Sequence, residues 1–184
     1  RPEKEIISTG SISIQSPYNP DITSVFTDWK AHGAVDMRKA LAVSSNVYFY
    51  EVGGGFEGQR GLGITKLEKY FRLFGFGETV PGDFFAGTSG IIPNPEWKKQ
   101  NFDGEEWRLG DTYYTSIGQY GFQTTPLQAA RAVTAIANDG VLLTPVVTRL
   151  DQDEATVAQT IPIDAAHIEI VKEKYQPKSK KQTK

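Results

Sequence analysis

The sequence predicts an α+β fold, mainly helical, with a short β-hairpin near its start and an edge strand near its end. Three observations carry this. Residues 63–77 and 124–140 set apolar side chains at helical spacing behind capping signals. Residues 4–14, KEIISTGSISI, are β-branched on both sides of Gly10, the pattern of two strands around a turn. Residues 141–147, VLLTPVV, read as a strand that Pro145 confines to a sheet edge, because proline has no N–H to give a ladder.

The other segments follow in chain order. Residues 15–33 carry Pro17, Asn19, Pro20 and Gly33 and predict a loop with turns. AVDMRKALAV, residues 34–43, predicts a helix of two to three turns opening near Asp36, whose charge suits the positive end of a helix dipole. VYFYEV, residues 47–52, fits a strand or a short buried helix. In GITKLEKYFRLFGFG, Thr65 and Glu68 have capping-box spacing, Ile64, Leu67, Phe71 and Phe74 share a face, and Gly75 and Gly77 are the stop. Residues 78–110 hold three prolines, five glycines and two tryptophans, so the segment is expected to be irregular and either functional or packed by its own aromatics. In TTPLQAARAVTAIANDG, Thr125 caps, Pro126 takes the first helical position and Gln128 completes the box. Leu127, Ala130, Val133, Ile136 and Ala137 form its apolar stripe. Residues 171–184 are expected to be a disordered basic tail behind a folded part of 1–170, with six lysines against one acid from Lys172 onward.

Composition narrows the function classes. The 184 residues are 39% hydrophobic and 23% charged, which is a globular balance. Net charge is −2 and the positive charge collects in the tail, leaving an acidic body. A nucleic-acid binder would carry its basic stripe on the folded part. There is no cysteine, which removes disulfides, thiolate nucleophiles and thiolate metal sites. No apolar run of about 18 residues is present to span a membrane.

Candidate chemistry is sparse. His32 and His167 are the only histidines and lack ligand partners at helical spacing, so both are expected to be solvated. His167-Ile168-Glu169 matches the H-x-E of zinc deaminases without the required cysteines. GGGFEG, with Gly53, Gly55 and Gly58, satisfies the glycine spacing of a dinucleotide loop, but no helix opens at the third glycine. Neither a nucleophile elbow nor a phosphate-binding P-loop occurs. Ser44-Ser45-Asn46 remains. As a plain structural feature, Ser45 or Asn46 caps a following helix. As chemistry, a hydroxyl and a carboxamide two residues apart can face one cleft, the hydroxyl relaying a proton and the amide holding a peptide-like substrate. Such a pair still needs an attacking group from elsewhere.

Three blocks, DWKAHGAVDMRKALAVSSNVYFYEVGGG, IPNPEWKK and WRLGDTYYTSIGQYGFQTTPLQAARAVTAIANDGVLLTPVV, resemble in order and spacing the transpeptidase domain of class B penicillin-binding proteins, from about Ile6 to Val147. The wider family carries S-x-x-K, S-x-N and K-T-G motifs. The resemblance implies a partial serine β-lactamase and penicillin-binding-protein transpeptidase fold, mostly its helical subdomain. It implies Ser44 as a proton relay between the active-site lysines and the leaving amine, and Asn46 as orienter of the catalytic lysine and the substrate. Gln119, in the Gly118–Gly121 turn, is a lesser candidate for substrate contact. Neither S-x-x-K nor K-T-G occurs in these 184 residues. The family's order places them before Arg1 and after Lys184, and beyond about Ile170 the sequence departs from the family pattern.

The implied activity is peptidoglycan D,D-transpeptidation of stem peptides ending in D-Ala-D-Ala, with no cofactor or metal. β-Lactams would be inhibitors of the parent enzyme, and cell-wall synthesis proteins its partners. The parent would work outside the cytoplasm, held to the membrane by an N-terminal anchor. These residues alone are expected neither to acylate with penicillin nor to cross-link peptide. The alternative is a non-catalytic binding or scaffold module of the cell-wall machinery.

Overall fold

The computed structural model describes residues 1–81, 87–146 and 157–175. Strands β1 (Ile6–Ser8) and β2 (Ser11–Gln15) form where the β-branched run predicts them. They do not pair with each other. β2 pairs antiparallel with β3 (Thr23–Thr27), setting Ile12 opposite Phe26, and β1 pairs antiparallel with β4 (Gly33–Val35), setting Ile6 opposite Val35. The pairings are nested, so residues 6–15 are one arm of a single longer hairpin with its tip at 16–22. Gly10, at φ 98°, bends that arm instead of reversing it. The expected 4–14 hairpin is therefore corrected. The turn residues of 15–33 mark only the hairpin tip, and the β-branched TSVFT beyond them is the missed second arm.

The arms are unequal at one level. Between the pairs Ser8–Gly33 and Ser11–Thr27, Thr9 and Gly10 face the five residues Asp28–His32. Such an excess makes a bulge, which bends its strand and re-aims the side chains it carries. The Asp28 N–H bonds the Gly10 carbonyl at 2.8 Å, and the His32 N–H bonds the Ser8 carbonyl at 3.0 Å.

Helix α1 (Met37–Val43) is capped by Asp36, which accepts from the Lys39 N–H. α2 (Asn46–Gly54) settles the 47–52 ambiguity in favour of a buried helix, with Val47, Tyr48, Tyr50 and Gly53 inside. α3 (Ile64–Leu73) lacks the expected capping box: its N-cap is Gly63, and the Glu68 carboxylate bonds Arg72 and Asn94 instead. Residues 78–110 contain an unexpected helix, α4 (Pro95–Asn101), with Asn94 as cap and Pro95 at its first turn, followed by α5 (Leu109–Ser116). Trp97 packs on Phe102 within this segment, and Trp97, Phe102 and Trp107 gather around Tyr120 from beyond it, so its aromatics pack in part on one another and in part on the turn after α5.

α6 (Pro126–Ala137) carries the predicted box between Thr125 and Gln128. Its buried face is rotated from the expected stripe: Gln128, Arg131, Ala132 and Ala135 are inside while Val133 is 68% exposed. Gln128 goes inside because its amide bonds the carbonyls of Glu78 and Ser89 at 2.7 and 2.8 Å. β5 (Val141–Leu143) ends before Pro145 and pairs antiparallel with β6 (Val157–Thr160) in a two-stranded sheet. α7 (Ala165–Tyr175) runs past Ile170 and is tied to α1 by Arg38 and Glu173. Val147 and residues 176–184 lie outside the described residues.

Two apolar clusters hold these elements. The larger joins the hairpin to α1, α2 and α5 through Ile6, Ile12, Phe26, Val35, Ala40, Val47, Tyr50 and Tyr113. The smaller joins Ala135, Leu142 and Ile161. In the larger one, Gly53 and Gly54 let α2 and α5 touch. A methyl at Gly53 would lie 2.4 Å from Ser116 Cβ, and one at Gly54 would lie 2.4 Å from the Tyr113 ring. The dinucleotide-loop alternative is thereby overturned: GGG ends a packed helix, and no helix starts at Gly58. Gly53→Ala should destabilise by about 1–3 kcal/mol through overpacking, despite the usual gain of about 0.5–1 kcal/mol for alanine inside a helix. Urea denaturation of the variant reads the sign.

Candidate functional site

Ser44-Ser45-Asn46 is the joint between α1 and α2. Ser44 is the C-cap of α1 and Ser45 the N-cap of α2. Burial divides the three residues. Ser45 is fully buried, and its hydroxyl accepts from the Tyr48 N–H. Ser44 is exposed, and Asn46 is half-buried at the first position of α2. Of the two candidates, Ser45 and not Asn46 is thus the side-chain cap of α2.

Ser44 has left-handed backbone angles, φ 52° and ψ 53°. A residue other than glycine pays about 1–2 kcal/mol there. Glycine would make this joint at lower cost, so the serine is held in place by something other than chain geometry. The Asn46 Nδ2 donates to the Thr27 carbonyl at 3.4 Å, a long bond. It leaves the Oδ1 and the second N–H for a ligand.

Residues 27–32, at the hairpin bulge, grip this joint. The Asp28 side chain is fully buried. Its Oδ2 accepts from the Ser45 hydroxyl at 2.9 Å, the Val47 N–H at 3.1 Å and the Ser8 hydroxyl at 3.3 Å. Its Oδ1 accepts from the Trp29 N–H at 2.8 Å. The Trp29 indole N–H is shared between the carbonyls of Val43 and Ser44, at 3.1 and 3.2 Å. His32, expected to be solvated, is instead buried at its side chain, against the Trp29 ring and with Nε2 3.6 Å from Asp28 Oδ1. The bulge folds it inward. His167 is exposed, as expected. Among the described residues no cluster of acids and histidines could hold a metal ion.

Burial pushes the Asp28 carboxyl up, but the bonds from the Val47 N–H, the Ser45 hydroxyl, the Asn46 N–H and the Trp29 N–H outweigh it and hold the group below 3.8. A carboxylate depressed on folding contributes stability above its unfolded value, and that contribution is lost as pH falls through the folded value. The stability difference between the native chain and Asp28→Asn is therefore expected to be constant above about pH 5 and to shrink as pH falls below that. Thermal melts across that range check it.

The Tyr113 hydroxyl donates to the Gly55 carbonyl at 2.5 Å, and Ser116 donates to the Phe49 carbonyl at 3.0 Å. These bonds tie α5 to α2. Gln119 is exposed, with its own N–H bonded to the Tyr114 carbonyl, and its neighbour Tyr120 packs on Trp97, Phe102 and Trp107 rather than on the Ser44–Asn46 joint. Tyr120 and Gly121 both have positive φ, and a side chain at Gly121 would lie 2.5 Å from the Trp97 ring, which accounts for the turn structurally. Two grooves of about 450 and 500 Å³ lie elsewhere, beside Glu68 and Arg72 and beside Ile7 and Glu51. None of Ser44, Asn46 and Gln119 lines either groove.

The sequence reading missed Asp28, Trp29 and His32 as parts of this arrangement. Their contacts join residues 14–19 positions apart with no periodic signal. The available hints were a charged and an aromatic residue, Asp28-Trp29, beside a β-branched run, and their place at the head of the block that resembles the family.

The family model of the penicillin binding protein transpeptidase domain matches residues 3–183. The chain belongs to the penicillin-binding protein transpeptidase family. The match continues past Ile170, so the expected departure from the family there does not hold. The transpeptidase family includes the peptidoglycan D,D-transpeptidase MrdA of Acinetobacter baumannii, 38% identical over 132 residues, which are 71% of this chain and 19% of that protein. The fold matches Pseudomonas aeruginosa PBP2 with a TM-score of 0.77 at 27% identity, over 95% of this chain and 37% of that one. It also matches PBP2 of Helicobacter pylori, solved as a complex with MreC, with a TM-score of 0.67 at 29% identity, over 93% of this chain and 30% of that one. The chain spans about a fifth of the length of the curated relatives it matches.

Proposed function

We propose that these residues form part of a peptidoglycan D,D-transpeptidase and supply its S-x-N motif. One observation carries this beyond family membership: the joint spends a strained backbone on an exposed Ser44, where glycine would suffice, two residues before a half-buried Asn46.

The reaction is acyl transfer. A serine hydroxyl attacks the carbonyl of the penultimate D-alanine, the C–N bond to the last D-alanine breaks, and that amine leaves with a proton. Ser44 delivers the proton to the leaving nitrogen, taking it from the lysine that accepted it from the nucleophile. Asn46 holds the lysine and the substrate amide in line. On the family likeness alone, Gln119 is assigned a contact with the stem peptide. A β-lactam would enter the parent enzyme by the same attack. The MreC complex of the Helicobacter relative supports a place among cell-wall synthesis proteins. The substrate places the parent enzyme outside the cytoplasmic membrane. Among the described residues no helix is long and apolar enough to cross one.

The S-x-x-K serine and the K-T-G strand are absent from these 184 residues. Loss of a nucleophile leaves only residual effects of binding. A fluorescent penicillin should label a polypeptide that joins this chain to S-x-x-K and K-T-G segments from its own coding sequence, and should leave the 184 residues alone unlabelled. Covalent label on the 184 residues by themselves would overturn the assignment. So would a coding sequence that supplies neither motif, which would favour a scaffold module.

A further inference from the structure

We propose that Asp28 and Trp29 are positioning residues for the S-x-N motif, an inference that rests on the function proposed above. A joint between two helices leaves unpaired carbonyls at the end of the first and unpaired N–H groups at the start of the second. One dipeptide meets both needs. The Asp28 carboxylate takes the Val47 N–H and the Ser45 hydroxyl, at the positive end of the nine-residue α2. The Trp29 indole N–H takes the carbonyls of Val43 and Ser44, at the negative end of α1. Each group has the polarity its helix end requires.

The gripped residues are those that flank the reacting groups. Ser44 is held by its carbonyl, and Asn46 is held between Val47, Ser45 and the Thr27 carbonyl. The left-handed Ser44 persists only where its surroundings over-determine it. Here the determinants come from a bulge, with five residues facing two in the hairpin. A regular ladder would carry Asp28 and Trp29 on opposite faces of the sheet, with neither directed at both helix ends. His32 packs on the Trp29 ring and approaches Asp28, closing the bulge from behind.

Neither residue needs to touch substrate, so the test must separate positioning from folding. The polypeptide that joins this chain to its S-x-x-K and K-T-G segments is made as native protein, Asp28→Asn and Trp29→Phe. Acylation by a fluorescent penicillin is split into the initial binding constant and the acylation rate. Amide hydrogen exchange is followed at Asn46 and Val47, with Ala135 as a remote control. A shift of the reacting groups by about 1 Å costs on the order of 10²-fold. Asp28→Asn should therefore slow acylation by about that factor with the initial binding constant unchanged, and should speed exchange at Asn46 and Val47 but not at Ala135. Trp29→Phe keeps the ring against His32 and loses only the N–H, and it should slow acylation in the same sense. Native acylation and exchange rates in a folded Asp28→Asn would overturn the proposal. If that variant does not fold, Trp29→Phe decides, and an unchanged acylation rate overturns it. Failure of the native polypeptide to acylate would strike the transpeptidase assignment instead, and the exchange measurement would still report whether Asp28 fixes the joint.

Discussion

Ser44→Gly, placed in a polypeptide that carries all three motifs, is expected to slow acylation by about 10²–10⁴-fold, the usual contribution of a positioned proton-transfer group. The same variant is expected to be no less stable than the native protein. Ser44 sits at φ 52° and ψ 53°, where a Cβ costs about 1–2 kcal/mol that glycine avoids. Against that gain stands the added freedom of glycine in the unfolded chain, worth about 0.5–1 kcal/mol. The difference leaves Ser44→Gly neutral or slightly stabilising. Function opposed to stability at one residue is the signature of a site rather than a cap. Ser45→Ala should behave in the opposite way. It removes a buried N-cap and a donor to Asp28, and should cost about 1–2 kcal/mol. Urea denaturation and penicillin labelling of the two variants resolve the roles of adjacent serines.

Much of this was legible in the sequence, and what was not has a physical reason. α1 and α6 were visible because their caps are local, with Asp36 and Thr125 lying within three residues of the N–H groups they satisfy. Ser44-Ser45-Asn46 was visible as polar residues interrupting an apolar run. The hairpin was half visible. β-Branched residues report extended chain, but pairing is set by partners far along the sequence, and Gly10 bends as readily as it turns. The α6 stripe misled because hydrophobicity alone cannot show that Gln128 has two buried carbonyls to meet. The Thr65–Glu68 spacing misled because Glu68 found Arg72 and Asn94 as partners. The grip of Asp28 and Trp29 on the joint exists only once the bulge has formed, and a bulge leaves no mark on periodicity.

Lys98→Ala is expected to cost about 3–5 kcal/mol, the largest stability loss among the changes considered, because it breaks a buried ion pair on one side only. Lys98 is 2% exposed, and its ammonium bonds the Asp111 carboxylate at 2.7 Å. The same Asp111 oxygen accepts from the Arg108 N–H at 2.7 Å and so caps α5. Removal of Lys98 leaves that carboxylate beneath α4 without its counter-charge, although the helix N-terminus still favours its negative charge. The damage should then spread to α5, which packs on α2 at Gly53 and Gly54. Lys98→Met with Asp111→Asn is the informative comparison. Asparagine keeps a capping oxygen, and the pair no longer buries any charge, so the double variant should recover most of the loss. Burial lowers the Lys98 pKa, but the bond to Asp111 and its charge raise it more, so the group titrates above 10.5. A cation raised on folding gives its full stabilisation below its unfolded value and loses it as pH rises through the folded one. The native protein should therefore weaken above about pH 10.5 more steeply than the double variant. Urea denaturation of the three proteins at neutral and alkaline pH measures both effects, and equal stabilities for Lys98→Ala and the native chain would show that the pair contributes nothing.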